Sequence, residues 1–273
     1  MLTLITATLN AGRYIEQAFR SVPRTAESVQ HIVIDGGSTD GTLAICDEFP
    51  AVEKIVVPGC SIYEAWNIGI ERARGDWVMF LNADDELAEG ATGVIAACSA
   101  NAPAAQIIAG RALMIDRDRP GAALQTLTAA PGGRLEVEQL ALGVPAINAM
   151  AFHRSLFAGH GVFETIYRVA GDRAFLLRLA LNASPPVVAT VDAVLYRYFS
   201  HSGSLTLSRS LEQRLRIARD HIPLANQLLT VQPGGDAGRV LRHWRRREAG
   251  VAAIRCAAAG RPFEALRFAG QLF

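Results

Sequence analysis

The sequence predicts an α/β protein built on a largely parallel sheet. Through about the first ninety residues, short apolar runs rich in β-prone side chains alternate with segments of helical periodicity, the pattern of successive β-α-β units. Two of these runs end abruptly in loops of small polar and acidic residues. The chain has 273 residues, 50% of them hydrophobic, and can therefore bury a large core.

The first two predicted strands each lead into a polar loop and then a helix. Residues 2–8 form a β-prone run that stops at residues 9–12, and residues 14–22 place their apolar side chains on one helical face. Residues 31–34 then enter the loop 35–42, which reads DGGSTDGT. Glycines in such a loop let the backbone approach a ligand closely, a common design of nucleotide sites. The loop matches neither the dinucleotide fingerprint nor the P-loop, and a plain tight turn is the alternative.

The next two elements lead to the most distinctive sequence in the chain. Residues 53–57 predict a third strand, and Ser61 and Glu64 predict a capping box at the start of the helix that follows. Residues 75–81 predict a fourth strand, fully buried, that ends in Asn82-Ala83-Asp84-Asp85.

The paired carboxylates of Asp84 and Asp85 predict a metal site at the end of this strand. Inside a strand each charge would have to be desolvated or paired, whereas at the carboxyl end it faces the crevice where ligands bind in open α/β sheets. Two hard oxygen donors suit Mg²⁺ or Mn²⁺, with a phosphate completing the coordination shell. A turn or a helix cap is the alternative, because Asp is common in both.

Four sequence blocks, in this order and at ordinary spacings, make the chain similar to glycosyltransferase family 2. They are residues 6–10, 33–42, 62–70 and 75–87, and a fifth block, residues 163–179, resembles the acidic segment that precedes the acceptor-side helix of that family. The resemblance covers about residues 1–205. It implies the GT-A fold and the transfer of a sugar from a nucleotide-diphosphate donor, usually with inversion.

On the side of the sugar donor, the resemblance implies roles for five residues. Thr8, Asn10 and Asp35 match positions of the nucleotide-sugar site, with Thr8 and Asp35 lining the nucleoside pocket. Asp84 matches the carboxylate next to the ribose or the metal, and Asp85 matches the metal ligand. A metal that bridges the phosphates would stabilise a leaving group that gains negative charge.

Three further residues match the catalytic and closing segments of the family. Asp172 matches the catalytic base, which an inverting enzyme needs on the face opposite the leaving group and therefore in another segment than the metal site. The alternative is that Asp172 caps a helix over residues 173–181. Arg197 and His201 resemble a late segment that often closes over the diphosphate.

Composition and charge narrow the remaining choices. The four cysteines are scattered, which favours a reducing cytoplasm, and neither a signal peptide nor a membrane span is expected.

Residues 205–273 contain twelve Arg against five acidic residues and predict helices over 211–229, 238–256 and 263–273. Their Arg-rich segment 242–247 could meet anionic lipid or a phosphate-bearing acceptor, and a solvated helix face is the favoured alternative. No basic motif with interleaved aromatics indicates nucleic-acid binding.

The sequence therefore predicts a GT-A catalytic domain over residues 1–204 and a helical C-terminal extension over residues 205–273. Within the domain, about residues 1–95 would bind the nucleotide sugar and about residues 96–204 the acceptor. The predicted protein is a cytoplasmic, inverting glycosyltransferase that needs Mn²⁺ or Mg²⁺ and serves surface-glycan or polysaccharide biosynthesis. We expect a UDP-sugar donor and a glycan or lipid-linked acceptor, and peripheral contact with the inner face of the cell membrane is left open. A nucleotidyltransferase on a related fold and a non-catalytic nucleotide-sugar-binding subunit are the alternatives.

Overall fold

The computed structural model describes residues 1–23, 29–119, 125–130, 133–201 and 210–272. The strands in these ranges are β1 (Leu2–Thr8), β2 (Val29–Asp35), β3 (Val52–Val56), β4 (Trp77–Phe80), β5 (Glu86–Leu87), β6 (Ile107–Asp116), β7 (Gln125–Thr128), β8 (Met150–His153) and β9 (Val188–Ser200). The helices are α1 (Ile15–Ser21), α2 (Thr42–Asp47), α3 (Ile62–Arg72), α4 (Ala91–Asn101), α5 (Val137–Leu142), α6 (Ser155–His160), α7 (Gly171–Ala180), α8 (Leu211–Val231), α9 (Gly235–Ala258) and α10 (Pro262–Ala269). The predicted β-α-β-α-β-α-β order of the N-terminal part is confirmed.

The described strands form one mixed sheet in the order β3-β2-β1-β4-β8-β6-β9-β5, and β7 pairs with β6. Strands β1 to β4 are parallel to one another, and β6 is parallel to β9. Strand β8 lies antiparallel to both β4 and β6 and so joins the two halves of the sheet. Because β1, β2 and β4 run in one direction, the loops that follow them meet at the same edge of the sheet.

Helix α3 packs closely on the parallel half of the sheet. It begins with the predicted capping box, in which the Glu64 backbone donates to Ser61 Oγ and the Ser61 backbone donates to the Glu64 carboxylate. A Cβ at Gly69 would lie 2.4 Å from Cγ2 of Ile5, so only glycine allows this helix to approach β1 so closely. Trp66 stacks on Phe80 of β4, which closes the core above the sheet.

The C-terminal helices pack against the rest of the protein and also against each other. Leu224, Leu241 and Trp244 belong to the main core, whereas Leu215 and Phe268 belong to a smaller core formed by α8, α9 and α10. The predicted boundary at residue 204 lies outside the described residues, and the division into two domains stays a prediction. None of the helices in the described ranges combines the length and the apolarity that crossing a bilayer requires.

A buried histidine makes the stability of this fold depend on pH. His31 of β2 is buried, with Nε2 2.9 Å from Thr6 Oγ1, and burial lowers its pKa from 6.5 to about 4. As the pH falls through 6.5, the unfolded chain binds the proton first. The free energy of unfolding should therefore keep its full value above pH 6.5 and fall by about 3 kcal/mol as the pH approaches 4.

The variant His31→Gln isolates this contribution, because it cannot titrate and keeps a polar group beside Thr6. Denaturant unfolding of both proteins at about pH 7.5 and about pH 4.5 should show a smaller loss of stability in the variant. Equal losses in the two proteins would mean that His31 does not cause the effect.

Candidate active site

Asn10 ties together the two loops that follow β1 and β2. Its backbone adopts the left-handed conformation, with φ 52°, and its N–H donates to Ser38 Oγ at 2.8 Å. In return, its side-chain oxygen accepts from the Thr39 backbone at 2.9 Å. These two hydrogen bonds therefore hold the loop after β1 and the loop after β2 together at the edge of the crevice.

The Asp35 side chain stabilises the conformation of the loop that follows β2. The carboxylate is fully buried and accepts from the backbones of Gly37 and Ser38 at 2.8 and 2.7 Å and from the Ser38 hydroxyl at 2.5 Å. Thr8 lies opposite Asp35 in the β1–β2 register, and its buried hydroxyl has no hydrogen-bond partner within the described chain. The predicted contacts of Thr8, Asn10 and Asp35 with a nucleotide sugar stay predictions.

Asp85 points into the protein. Only 3% of the residue is exposed, and its Oδ1 accepts from the Phe199 backbone at 2.7 Å. Its Oδ2 accepts from the Asn82 side chain and from the Tyr196 hydroxyl, both at 2.9 Å. Burial, and then the charge of Asp84, raise the pKa of Asp85 to about 7. Three of the roughly four lone-pair positions of the Asp85 carboxylate are therefore occupied by hydrogen bonds within the protein.

Asp84 faces the crevice instead. Its side chain is 33% exposed, and Oδ2 lies 3.0 Å from His201 Nε2. The His201 ring packs on Tyr14, with 4.7 Å between the ring centroids. The structure thus brings together two of the residues that the sequence singled out, although 117 positions separate them along the chain.

Two arginines line the same end of the crevice. Arg197 is ion-paired with Glu86 at 2.8 Å. Arg117, which no sequence motif indicates, stacks over the rings of Phe199 and Tyr14 at 4.2 and 4.8 Å and donates to the Asp84 carbonyl at 3.0 Å. The rest of the late segment, residues 202–204, lies outside the described residues.

Asp172 lies in the first turn of α7. Its Oδ1 accepts from the Tyr63 hydroxyl at 3.2 Å and from the Arg173 backbone at 2.8 Å, and its Oδ2 has no partner within the described ranges. Burial raises the pKa of this carboxyl. The helix already begins at Gly171, so Asp172 does not cap a helix that starts at residue 173.

Tyr198 and Asn148 form a hydrogen-bonded pair next to the end of β4, and the sequence singled out neither as a site residue. The Tyr198 hydroxyl donates to Asn148 Oδ1 at 2.5 Å, and the Asn148 amide donates to the Phe80 carbonyl at 2.9 Å. Burial, followed by the charges of Asp85 and Asp172, raises the pKa of Tyr198 well above its ordinary value. Tyr198 is therefore close enough to both carboxylates to feel their charge.

The crevice fits a divalent cation that shares its shell with a phosphate. The described residues contain no group of three or more His, Cys, Asp or Glu side chains that could enclose a metal by themselves. Asp84 and His201 offer one hard oxygen ligand and one nitrogen ligand side by side. A metal held this way would take its remaining ligands from the substrate and from water, as Mg²⁺ commonly does.

Comparisons with known proteins agree with this geometry. Residues 3–135 match the family model described as glycosyl transferase family 2. The chain is also 28% identical over 214 residues to a PGL/p-HBAD biosynthesis glycosyltransferase of Mycobacterium tuberculosis, covering 76% of this chain and 79% of the relative. Both matches show that the chain is similar to glycosyltransferase family 2.

Solved structures show the GT-A fold expected of this family. S. aureus TarS in complex with UDP-GlcNAc aligns with a TM-score of 0.64 at 16% identity, over 94% of this chain and 72% of TarS. The mannosyltransferase PcManGT from Pyrobaculum calidifontis, in complex with GDP-Man and Mn²⁺, aligns with a TM-score of 0.58 at 17% identity, over 95% and 74% of the two chains. The family 2 resemblance seen in the sequence is confirmed.

The Tyr196 hydroxyl should stabilise the fold, because it supports the buried carboxylate. It donates to Asp85 and accepts from the Asn82 backbone at 2.9 Å, inside the core. Tyr196→Phe leaves both groups short of a partner and should lower the free energy of unfolding by about 1–3 kcal/mol. Tyr198 lies on the same strand as Tyr196, and its hydroxyl donates to the neutral side chain of Asn148. Tyr198→Phe should therefore lower the free energy of unfolding by less. Denaturant unfolding measures both variants, and an equal or larger cost for Tyr198→Phe would contradict this role of Tyr196.

Proposed function

We propose that this protein is a family 2 glycosyltransferase that moves a sugar from a UDP-sugar to a hydroxyl acceptor with inversion, assisted by Mn²⁺ or Mg²⁺. The observation that carries the proposal is the pairing of Asp84 with His201, 3.0 Å apart at the end of β4, in a chain that matches the model of glycosyltransferase family 2. Asp84, with His201, would serve the diphosphate end and Asp172 the acceptor end. The UDP-GlcNAc bound to TarS supports a uridine nucleotide as the sugar donor.

At the diphosphate end, we assign the metal to Asp84 and His201, with Asp85 as their buried support. When bound, the metal would offset the negative charge that develops on the departing nucleotide diphosphate. Arg117 holds the Asp84 carbonyl and Arg197 holds Glu86, so both arginines also supply positive charge near this end. The sequence predicts Asp85 as the direct metal ligand, and this proposal gives that role to Asp84 instead.

At the acceptor end, Asp172 would take the proton of the attacking hydroxyl. Tyr63 and the Arg173 backbone hold Oδ1, which leaves Oδ2 for the acceptor. Burial raises the pKa of Asp172 and so makes its carboxylate a stronger base than an exposed one. The placement of this base in another segment than Asp84 is what an inverting transfer needs.

Similarity to family 2 favours glycosyl transfer over the nucleotidyltransferase alternative. The mycobacterial relatives are described as PGL/p-HBAD biosynthesis glycosyltransferases, which supports a role in glycan or glycolipid assembly. Asp84, Asp85 and Asp172 are all present, which argues against a subunit that only binds nucleotide sugars. The acceptor, the cytoplasmic location and contact with a membrane surface stay predictions.

Two asparagine variants test the assignment of the metal. Asp84→Asn should weaken binding of UDP in the presence of Mn²⁺ by at least about tenfold, the size of one lost charge-assisted ligand. Asp85→Asn should mainly lower the thermal stability, because it disturbs three buried hydrogen bonds. Calorimetry with UDP, with and without Mn²⁺, measures the affinity, and parallel titrations with GDP and dTDP identify the base. Full UDP affinity in Asp84→Asn together with a loss in Asp85→Asn would restore Asp85 as the ligand.

Asp172→Asn tests the base. The variant is nearly isosteric and should bind UDP and Mn²⁺ like the parent protein, while turnover falls by a factor of about a hundred to ten thousand. Release of UDP from a panel of UDP-sugars, with water as the acceptor, measures turnover. Asp76→Asn removes an exposed carboxylate near the N-terminus and serves as the matched control. Turnover near the parent rate in Asp172→Asn would place the base elsewhere.

A further inference from the structure

The segment that leads into Asp172 is held by the C-terminal extension. Asp220 of α8 accepts from two consecutive backbone amides, those of Arg168 and Val169, through one carboxylate oxygen and at 2.7 Å each. Asp220 takes part in no ion pair within the described residues, whereas its neighbour Arg219 is paired with Glu264 at 3.0 Å. The carboxylate of Asp220 therefore interacts with the backbone of residues 168–169 and with no cationic side chain in the described ranges.

A second contact from α8 holds the same segment one position earlier. The buried Tyr167 hydroxyl donates to Gln227 Oε1 at 2.6 Å. Gln227 lies seven residues after Asp220, so both side chains leave the same face of α8. Three consecutive residues, 167–169, are thus attached to one helix face of the extension.

On the far side of Asp172, the extension holds the next residue. The Arg173 guanidinium lies 5.7 Å from the Trp244 ring of α9 and donates to the carbonyls of Leu140 and Ala141 at the end of α5. Arg247, also on α9, donates to the Leu142 carbonyl at 3.1 Å. The extension therefore contacts the chain both before and after the candidate base.

The chain between these contacts has no room to shift. Ala170 is fully buried, and a Cβ at Gly171 would lie 2.7 Å from the ring of Tyr63, the residue whose hydroxyl contacts Asp172. A displacement of residues 168–169 would therefore move the Asp172 carboxylate instead of being absorbed on the way. Charged acceptors make hydrogen bonds roughly twice as strong as neutral ones, so Asp220 is the strongest of these restraints on the backbone.

We propose that Asp220 is a positioning residue, through which the extension holds Asp172 at the angle that proton transfer from the acceptor requires. The proposal rests on the proposed role of Asp172 as the base. The extension is then a working part of the active site, and its contribution lies in the geometry of the acceptor side. Misplacement of a reacting group by about 1 Å can lower a rate about a hundredfold.

Three variants, each made in the parent protein and in Asp172→Asn, test the proposal. Asp220→Ala removes the oxygen that accepts hydrogen bonds from the backbone amides of Arg168 and Val169. Asp220→Asn keeps an oxygen that can accept both hydrogen bonds but removes the negative charge. Arg219→Gln is the matched control, because it breaks an ion pair on the same helix and leaves residues 168–169 untouched. The readouts are UDP release from a panel of nucleotide sugars with Mn²⁺, UDP affinity by calorimetry, and thermal unfolding.

Asp220→Ala should lower turnover about ten- to a hundredfold with unchanged UDP affinity, Asp220→Asn should restore part of the rate, and Arg219→Gln should match the parent. In the Asp172→Asn background, Asp220→Ala should cause no additional loss, because the two residues act through one group. A parent-like rate in Asp220→Ala, or an equal loss in both backgrounds, would overturn the proposal. Should the alanine variant not fold, the rate of Asp220→Asn decides the same question.

An NMR titration of the Asp172 carboxyl carbon separates this proposal from the proposed function. The groups that face Asp172 are Tyr63 of α3, Tyr198 of β9, His221 of α8 and Arg173 of its own helix. In Asp220→Ala the pKa of Asp172 should fall toward its ordinary value, because a loosened segment admits water. An unchanged pKa would overturn the positioning role. Absence of turnover with every nucleotide sugar in the parent protein would instead refute the proposed function.

Discussion

The hydrogen bonds to the buried carboxylate of Asp85 are the interaction on which the end of the crevice around Asp84 depends. It collects hydrogen bonds from Asn82, which follows β4, and from Tyr196 and Phe199 of β9. A buried charge without such partners would cost several kcal/mol, so all three donors must stay in place. Their positions set the direction in which the chain leaves β4, and that direction turns Asp84 out toward His201.

The surroundings of Asp172 depend on contacts of another kind. Asp172 lies at the start of a helix, and the elements that hold it come from α3, α8 and α9 and not from the sheet. The two ends of the crevice are therefore supported separately, one by strand pairing around a buried charge and the other by helix packing. Tyr198 and Asn148 are hydrogen-bonded to each other and, through the Phe80 carbonyl, to the end of β4.

Much of the fold followed from local patterns in the sequence. Apolar alternation and glycine-rich breaks predicted the order of the first strands and helices, and the Ser61–Glu64 capping box formed as expected. The tail helices were also predicted, with ends that differ by a few residues. The irregular stretch around residues 100–165 gave no such signal, because β6 and β8 are ordered by pairing with distant strands. Their contribution to the site could not be predicted for the same reason.

The sequence alone determined the resemblance to glycosyltransferase family 2 and the alternation of strands and helices, because each is encoded in short motifs or local periodicity. Only the tertiary structure decided which of two adjacent carboxylates faces the solvent. Asp84 and Asp85 are adjacent and carry the same side chain, and the Tyr196 hydroxyl that binds only Asp85 of the two lies 111 residues away. The stacking of Arg117 on Phe199 and the hydrogen bonds from residues 168–169 to Asp220 likewise depend on the tertiary structure. A side chain's hydrogen-bond partners depend on what the fold brings beside it, and local sequence carries no record of that.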